Sequence, residues 1–166
     1  MGFTFKGNAI TLEGKQVVIG DTLPNAKVVT MGLEEKNISD FVAKVTVISL
    51  APSLDTGVCD LQTKGFIAKL GDMAGVALVT ISEDLPFAQA RWCGNAKAED
   101  AVVVSDYRYR EVGANFGAMI AELQLLTRAV IIADAHNIVQ YVEYLPEVTN
   151  QVDFDAAVAT VKKLLG

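Results

Sequence analysis

Val45-Thr46-Val47-Ile48-Ser49-Leu50 runs directly into Ala51-Pro52-Ser53-Leu54-Asp55-Thr56-Gly57-Val58-Cys59-Asp60. All of the first six residues but Ser49 are apolar or β-branched, the pattern of a strand buried on both faces. Beyond Asp60, apolar residues at Leu61, Phe66, Ile67 and Leu70, with few breakers, predict a helix over 61–70. Cys59 is thereby expected in the first turn of a helix at the carboxyl end of a central strand. An open α/β sheet exposes its ligand crevice at that place. Unpaired amides and the helix dipole there favour an anion, here a thiolate.

Outward from this unit the chain divides readily. Residues 3–6 and 10–12 flank Gly7-Asn8, and Gly14 punctuates again before Val17-Val18-Ile19, which predicts an amino-terminal β-hairpin. A loop over 20–24 leads to a short strand at Val28–Thr30, and the polar stretch 34–40 is compatible with helix or irregular structure. Val76–Ser82 reads as a second apolar strand, Pro86 as the first position of a short helix, and Val102–Ser105 as a short strand. Arg110–Gly117 reads as helical. Ala129–Ala133 and Ile138–Tyr144, separated by a four-residue turn, read as a hairpin. Phe154, Ala157, Val158, Val161, Leu164 and Leu165 make one helix face, with Asp153 or Asn150 as cap. This element order predicts an α/β chain of thioredoxin-like fold: a mixed central sheet flanked by helices, with an N-terminal β-hairpin and a closing ββα unit. No repeat, low-complexity tract or long linker interrupts it, so residues 1–166 are expected to form one domain.

Bulk properties exclude several functions. A net charge of −6 without any Lys/Arg cluster argues against nucleic acid as a partner. Although 51 % of residues are hydrophobic, no run approaches the ~18 apolar residues of a membrane span. The amino terminus has no basic stretch followed by an apolar one, and Lys6 stands where myristoylation expects Ser or Thr. The expected location is the cytoplasm. Two cysteines are too few for a disulfide scaffold or a cysteine zinc site, and the single His136 lies in the turn-like Asp134-Ala135-His136-Asn137. No metal ligand set is expected, and His136 reads as an exposed turn residue rather than a partner of Cys59.

The spacing Pro52, Thr56, Cys59 in this setting resembles the peroxidatic loop of peroxiredoxins. The whole stretch Pro52–Cys59 is similar to that of the bacterial thiol peroxidase branch, the atypical two-cysteine type. So are Asp84-Leu85-Pro86-Phe87-Ala88-Gln89, Arg91-Trp92-Cys93-Gly94, Ser105-Asp106-Tyr107, Leu125–Val130 and Tyr141–Tyr144. One position departs: members usually carry Pro where this chain has Gly57, which implies a looser loop.

Peroxidase chemistry sets requirements for these residues. A free thiol is only a few per cent thiolate at neutral pH. Lowering a thiol pKa to about 6 gains no more than roughly thirtyfold in thiolate, and intrinsic nucleophilicity falls in part compensation. The site must therefore also stabilise the oxygen that departs as the O–O bond breaks. Thr56 carries a hydroxyl for that oxygen, with a mere turn or capping role as its duller rival. The amides of Val58 and Cys59 stand free at a helix start. Pro52 holds Ala51 extended and shields the sulfur. The resemblance implies that Arg128 is the cation of the site. It further implies that Cys59 becomes a sulfenic acid, that Cys93 condenses with it to a disulfide, and that a thioredoxin-like donor reduces that disulfide. Hydroperoxide is the implied substrate, a homodimer the implied assembly, and no metal, flavin or haem is implied. Two rivals remain: a redox sensor that relays oxidation without efficient turnover, and a binding module whose Cys59 is inert.

Overall fold

The computed structural model describes residues 2–166. Its strands are β1 (Phe3–Phe5), β2 (Asn8–Ile10), β3 (Leu12–Glu13), β4 (Lys27–Thr30), β5 (Glu35–Asn37), β6 (Val45–Leu50), β7 (Val76–Ser82), β8 (Val102–Ser105), β9 (Met119–Ile120), β10 (Leu125–Leu126), β11 (Ala129–Ala133) and β12 (Val139–Tyr144). The helices are α1 (Gly57–Leu70), α2 (Pro86–Asn95), α3 (Glu111–Asn115) and α4 (Phe154–Leu165), with a 3-10 turn at Ile38–Asp40.

Seven strands form one mixed sheet in the order β12-β11-β6-β7-β8-β4-β5. Every residue of β6 is buried, Thr46 and Ser49 among them. β6 runs parallel to β7 through the α1 crossover, and β7 parallel to β8 through α2, while β11 flanks β6 antiparallel. Val47, Val130 and Ile132 face one side and pack with Phe66 and Leu70 of α1 and Ala157 and Val161 of α4. Ile48, Leu50, Ile81 and Ile131 face the other side and pack with Val112 and Phe116 around α3. The sheet thus carries helices on both faces, and the carboxyl ends of β6, β7 and β8 open together toward the starts of α1 and α2.

Local signals mark three helix starts. Thr56 caps α1, its hydroxyl accepting from the Cys59 amide at 3.3 Å. Pro86 opens α2, and Asp153 rather than Asn150 caps α4.

Four segments differ from the sequence reading. Val17–Ile19 is not a strand, because side chains take its amides: Val17 donates to Tyr144 Oη at 3.0 Å and Val18 to Asp21 Oδ2 at 3.0 Å. The amino-terminal hairpin ends at Ile10, and Leu12–Glu13 pairs instead with β9. Residues 35–37 form a strand despite their polarity, since β5 lies at the sheet edge with one face in solvent. β9 and β10 are two residues each, too short to show a period. The hairpin docks on the 146–148 segment, where Thr4 donates to the Pro146 carbonyl and accepts from the Val148 amide.

Candidate active site

Cys59 is fully buried in the first turn of α1, and Arg128 arrives from the residue preceding β11, 2 % exposed. Arg128 Nη2 lies 3.1 Å from Cys59 Sγ. The other arms of the guanidinium are fixed: Nε donates to the Val148 carbonyl at 2.7 Å and Nη1 to Gln62 Oε1 at 2.6 Å. Gln62 is itself oriented by donation to Ser49 Oγ at 2.8 Å and to the Leu50 carbonyl at 3.2 Å. Strand β6, helix α1 and the 145–149 turn therefore aim one donor of Arg128 at sulfur.

Gln62 is the residue the apolar reading of this helix passed over. It is fully buried one turn after Cys59, on the helix face that also buries Phe66 and Leu70. Residues three apart share a helix face, so its spacing from Cys59 was the available signal.

Among the described residues, Arg128 makes no ion pair with a carboxylate. A buried cation without an acidic partner is costly unless another anion faces it. The group that faces it here is the Cys59 sulfur.

The Thr56 hydroxyl serves the loop, donating to the Ser53 carbonyl at 3.4 Å while accepting from Cys59. Pro52 is buried beneath the loop, and Val58, half-buried, has its carbonyl held by Gln151 Nε2 at 3.2 Å. Gly57 occupies the first position of α1, where a Cβ would meet nothing within 4 Å.

Cys93 lies elsewhere. It sits on α2, 1 % exposed, in a cluster with Leu54, Trp92 and Val103. Both cysteines are free thiols. Burial, and then the charge of Glu99, push the Cys93 thiol above its ordinary value, so it rests as a neutral thiol. Trp92 belongs to the core rather than the surface, and its Nε1–H donates to Asp60 Oδ1 at 2.8 Å. His136 is exposed in its turn, and no cluster of three or more candidate metal ligands exists among the described residues. No described helix is long and apolar enough to cross a membrane.

At the carboxyl end of β7 lies an acid pair that the sequence reading did not single out. The Glu83 side chain is 6 % exposed and 4.0 Å from Arg110. Burial first, then the hydrogen bond and charge of Asp106, push its carboxyl up to about 9, while the charge of Arg110 works in the opposite direction. Burial also raises Asp106, against the bonds it accepts from Glu83 and the Val112 and Gly113 amides. Glu83 thus keeps its proton in the folded chain from its unfolded value of 4.5 up to about 9. The folded state binds the extra proton over that interval, so stability declines as pH rises through it, by at most ~1.4 kcal/mol per pH unit. Denaturant unfolding across this interval should show Glu83→Gln with a flatter decline than the parent; parallel curves would show that Glu83 titrates normally.

Comparison with known proteins gives one consistent picture. The Redoxin family profile matches residues 19–161. The thiol peroxidase of Bacillus subtilis is 47 % identical over 165 residues, covering 98 % of this chain and 97 % of that protein. The thiol peroxidase of Streptococcus sanguinis is 42 % identical over 161 residues, covering 97 % and 99 %. The crystal structure of a peroxiredoxin-like protein from Aquifex aeolicus superposes with a TM-score of 0.91 at 40 % identity, covering 98 % of this chain and 96 % of that one. A thiol peroxidase from Chromobacterium violaceum, 22 % identical, has the same fold at a TM-score of 0.88, again over 98 % and 96 %. The fold is thioredoxin-like, of the peroxiredoxin kind.

Proposed function

Because the chain belongs to the Redoxin family, within its thiol peroxidases, we propose a catalytic cycle that begins at Cys59 and is completed by Cys93. The protein is a thiol-dependent peroxidase. The observation that carries the cycle is the 3.1 Å contact between Arg128 Nη2 and Cys59 Sγ, both buried.

The Cys59 thiolate attacks one peroxide oxygen. An S–O bond forms, the O–O bond breaks, and the departing oxygen takes a proton and leaves as water or alcohol. Arg128 donates to sulfur beforehand and to oxygen as charge develops there, without reorganising, because Gln62 and Val148 already hold it. The Thr56 bond to Ser53 is long at 3.4 Å; the hydroxyl turns from it to the peroxide. Pro52 and Val58 line the approach, and Pro52 excludes water from the sulfur.

Cys93 sulfur then attacks the Cys59 sulfenic acid, forming the disulfide and releasing water. A thioredoxin-like dithiol returns both cysteines to thiols. Such a donor needs a reducing compartment, which supports a cytoplasmic location. The substrates are hydrogen peroxide and organic hydroperoxides. The chain works as one domain over residues 1–166. It assembles as a homodimer, a reading supported by the exposed Leu85 and Phe87, at 51 % and 68 %, beside the start of α2.

The test is hydroperoxide consumption with thioredoxin and its reductase. The parent should turn over repeatedly, whereas Cys93→Ser should consume one equivalent in forming its sulfenic acid, a second as that acid passes to sulfinic acid, and then stop. Equal turnover by both proteins would remove Cys93 from the cycle. Ready oxidation of the parent without turnover would favour a redox sensor.

A further inference from the structure

Asp84 sits where the peroxide-reacting loop meets the helix of the second cysteine. It follows β7 and precedes α2. Its backbone is tied to the sheet: the carbonyl accepts from Ser105 Oγ at 2.5 Å, and the amide donates to Ser82 Oγ at 3.3 Å. Ser82 Oγ also donates to Asp84 Oδ2 at 2.8 Å and accepts from the buried Gln89 of α2 at 3.1 Å. With this footing fixed, the carboxylate reaches across to the loop before Cys59. Oδ1 accepts from Ser53 Oγ at 2.7 Å and Oδ2 from the Leu54 amide at 2.8 Å.

The second of these bonds sets the position of Leu54. Its side chain, 2 % exposed, packs with Trp92, Cys93 and Val103 and is part of what seals Cys93 from its surroundings. Cys93 cannot leave that cluster for Cys59 while Leu54 stays in it. Two bonds from one carboxylate, each of the stronger, charge-assisted kind, hold Leu54 there. They hold the same loop whose Thr56 caps α1 and so keeps Cys59 beside Arg128.

We infer that Asp84 is a positioning residue that sets the partition of oxidised Cys59 between disulfide and over-oxidation. The inference rests on the Cys59–Cys93 cycle proposed above. With the loop closed, the sulfenic acid faces the peroxide site. A second hydroperoxide then oxidises it to sulfinic acid, an S–O bond forming as the O–O bond breaks and water or alcohol leaves. With the loop open, the Cys93 sulfur reaches the sulfenic sulfur, the S–S bond forms, the S–O bond breaks and water leaves. Each bond that Asp84 makes to Ser53 and Leu54 favours the first fate and opposes the second.

Asp84→Asn keeps one acceptor and turns a donor toward the other partner, so it loosens the loop without vacating the site. In parent and variant, the yields of disulfide and sulfinic acid are measured by intact mass over a series of hydrogen peroxide concentrations. The concentration at which half the protein becomes sulfinic should rise about tenfold in Asp84→Asn, the scale of one weakened charge-assisted hydrogen bond. Ser53→Ala removes one of the two loop contacts, leaves Asp84 on its footing, and should shift the midpoint the same way by less. The change at Trp92, the only tryptophan and a member of the Cys93 cluster, should quicken in step with disulfide formation when followed by fluorescence after peroxide mixing. Midpoints within twofold of the parent in both variants overturn the inference. So does a lowered melting temperature with an unchanged midpoint, which is what a merely structural Asp84 would give. A parent that forms no intramolecular disulfide instead overturns the Cys93 cycle, and does so without reference to either variant.

Discussion

Cys59→Ser should abolish hydroperoxide reduction and leave the fold in place. A serine hydroxyl fits the space of the thiol and loses only the sulfur contact of one Arg128 donor, whose other two arms remain bonded. The hydroxyl cannot take the role of thiolate, because its ionisation lies far beyond what a neighbouring guanidinium supplies and it cannot be oxidised to a sulfenic acid. Loss of a nucleophile costs several orders of magnitude in rate. The check is a rapid-mixing assay on a variant whose far-ultraviolet circular dichroism matches the parent. Retention of a tenth of the parental rate would assign the reaction to another group.

Arg128→Ala should slow the oxidation of Cys59 about a hundredfold, the effect of removing a donor worth roughly 3 kcal/mol at developing charge. The substitution also strands the Val148 carbonyl and Gln62 Oε1, so some loss of stability is expected. Arg128→Lys separates the two effects. It keeps the charge but cannot reach Val148, Gln62 and Cys59 at once, so most of the rate loss should persist. Stopped-flow oxidation of folded Arg128→Ala at the parental rate would make Arg128 a structural residue of the 145–149 turn and nothing more.

The parts of this architecture that were legible in the sequence are those dictated by local chemistry. The strands at 45–50, 76–82 and 102–105 follow their apolar and β-branched runs, because a sheet covered on both faces selects such residues and admits between them only small hydroxyls such as Thr46, Ser49 and Thr80. Thr56, Pro86 and Asp153 mark helix starts because each satisfies, or lacks, an amide that the helix leaves unpaired. What remained out of view depends on partners distant in the chain. The amide of Val17 is satisfied by Tyr144 and that of Val18 by Asp21, so an apolar triplet that looks like a strand needs no ladder. Met119–Ile120 becomes a strand only because Leu12 and Leu125 lie alongside it.

At the site, the thiol loop announced itself by spacing, whereas its supports did not. Gln62 looks like a surface glutamine until Arg128 is placed against it. Asp84 looks like the turn before a helix until Ser53 and Leu54 are brought within reach of it. Glu83 and Asp106 stand at the ends of two different strands, and only the parallel pairing of β7 with β8 makes them neighbours.

The measurement that bears most directly on the account is the intact mass of the parent protein after one equivalent of hydrogen peroxide, taken without reductant. Oxidation at Cys59 followed by condensation with Cys93 predicts a monomer mass lower by two hydrogens, with both cysteines in one disulfide-linked peptide after digestion. A monomer that keeps an added oxygen, or a disulfide-linked dimer in its place, would contradict it.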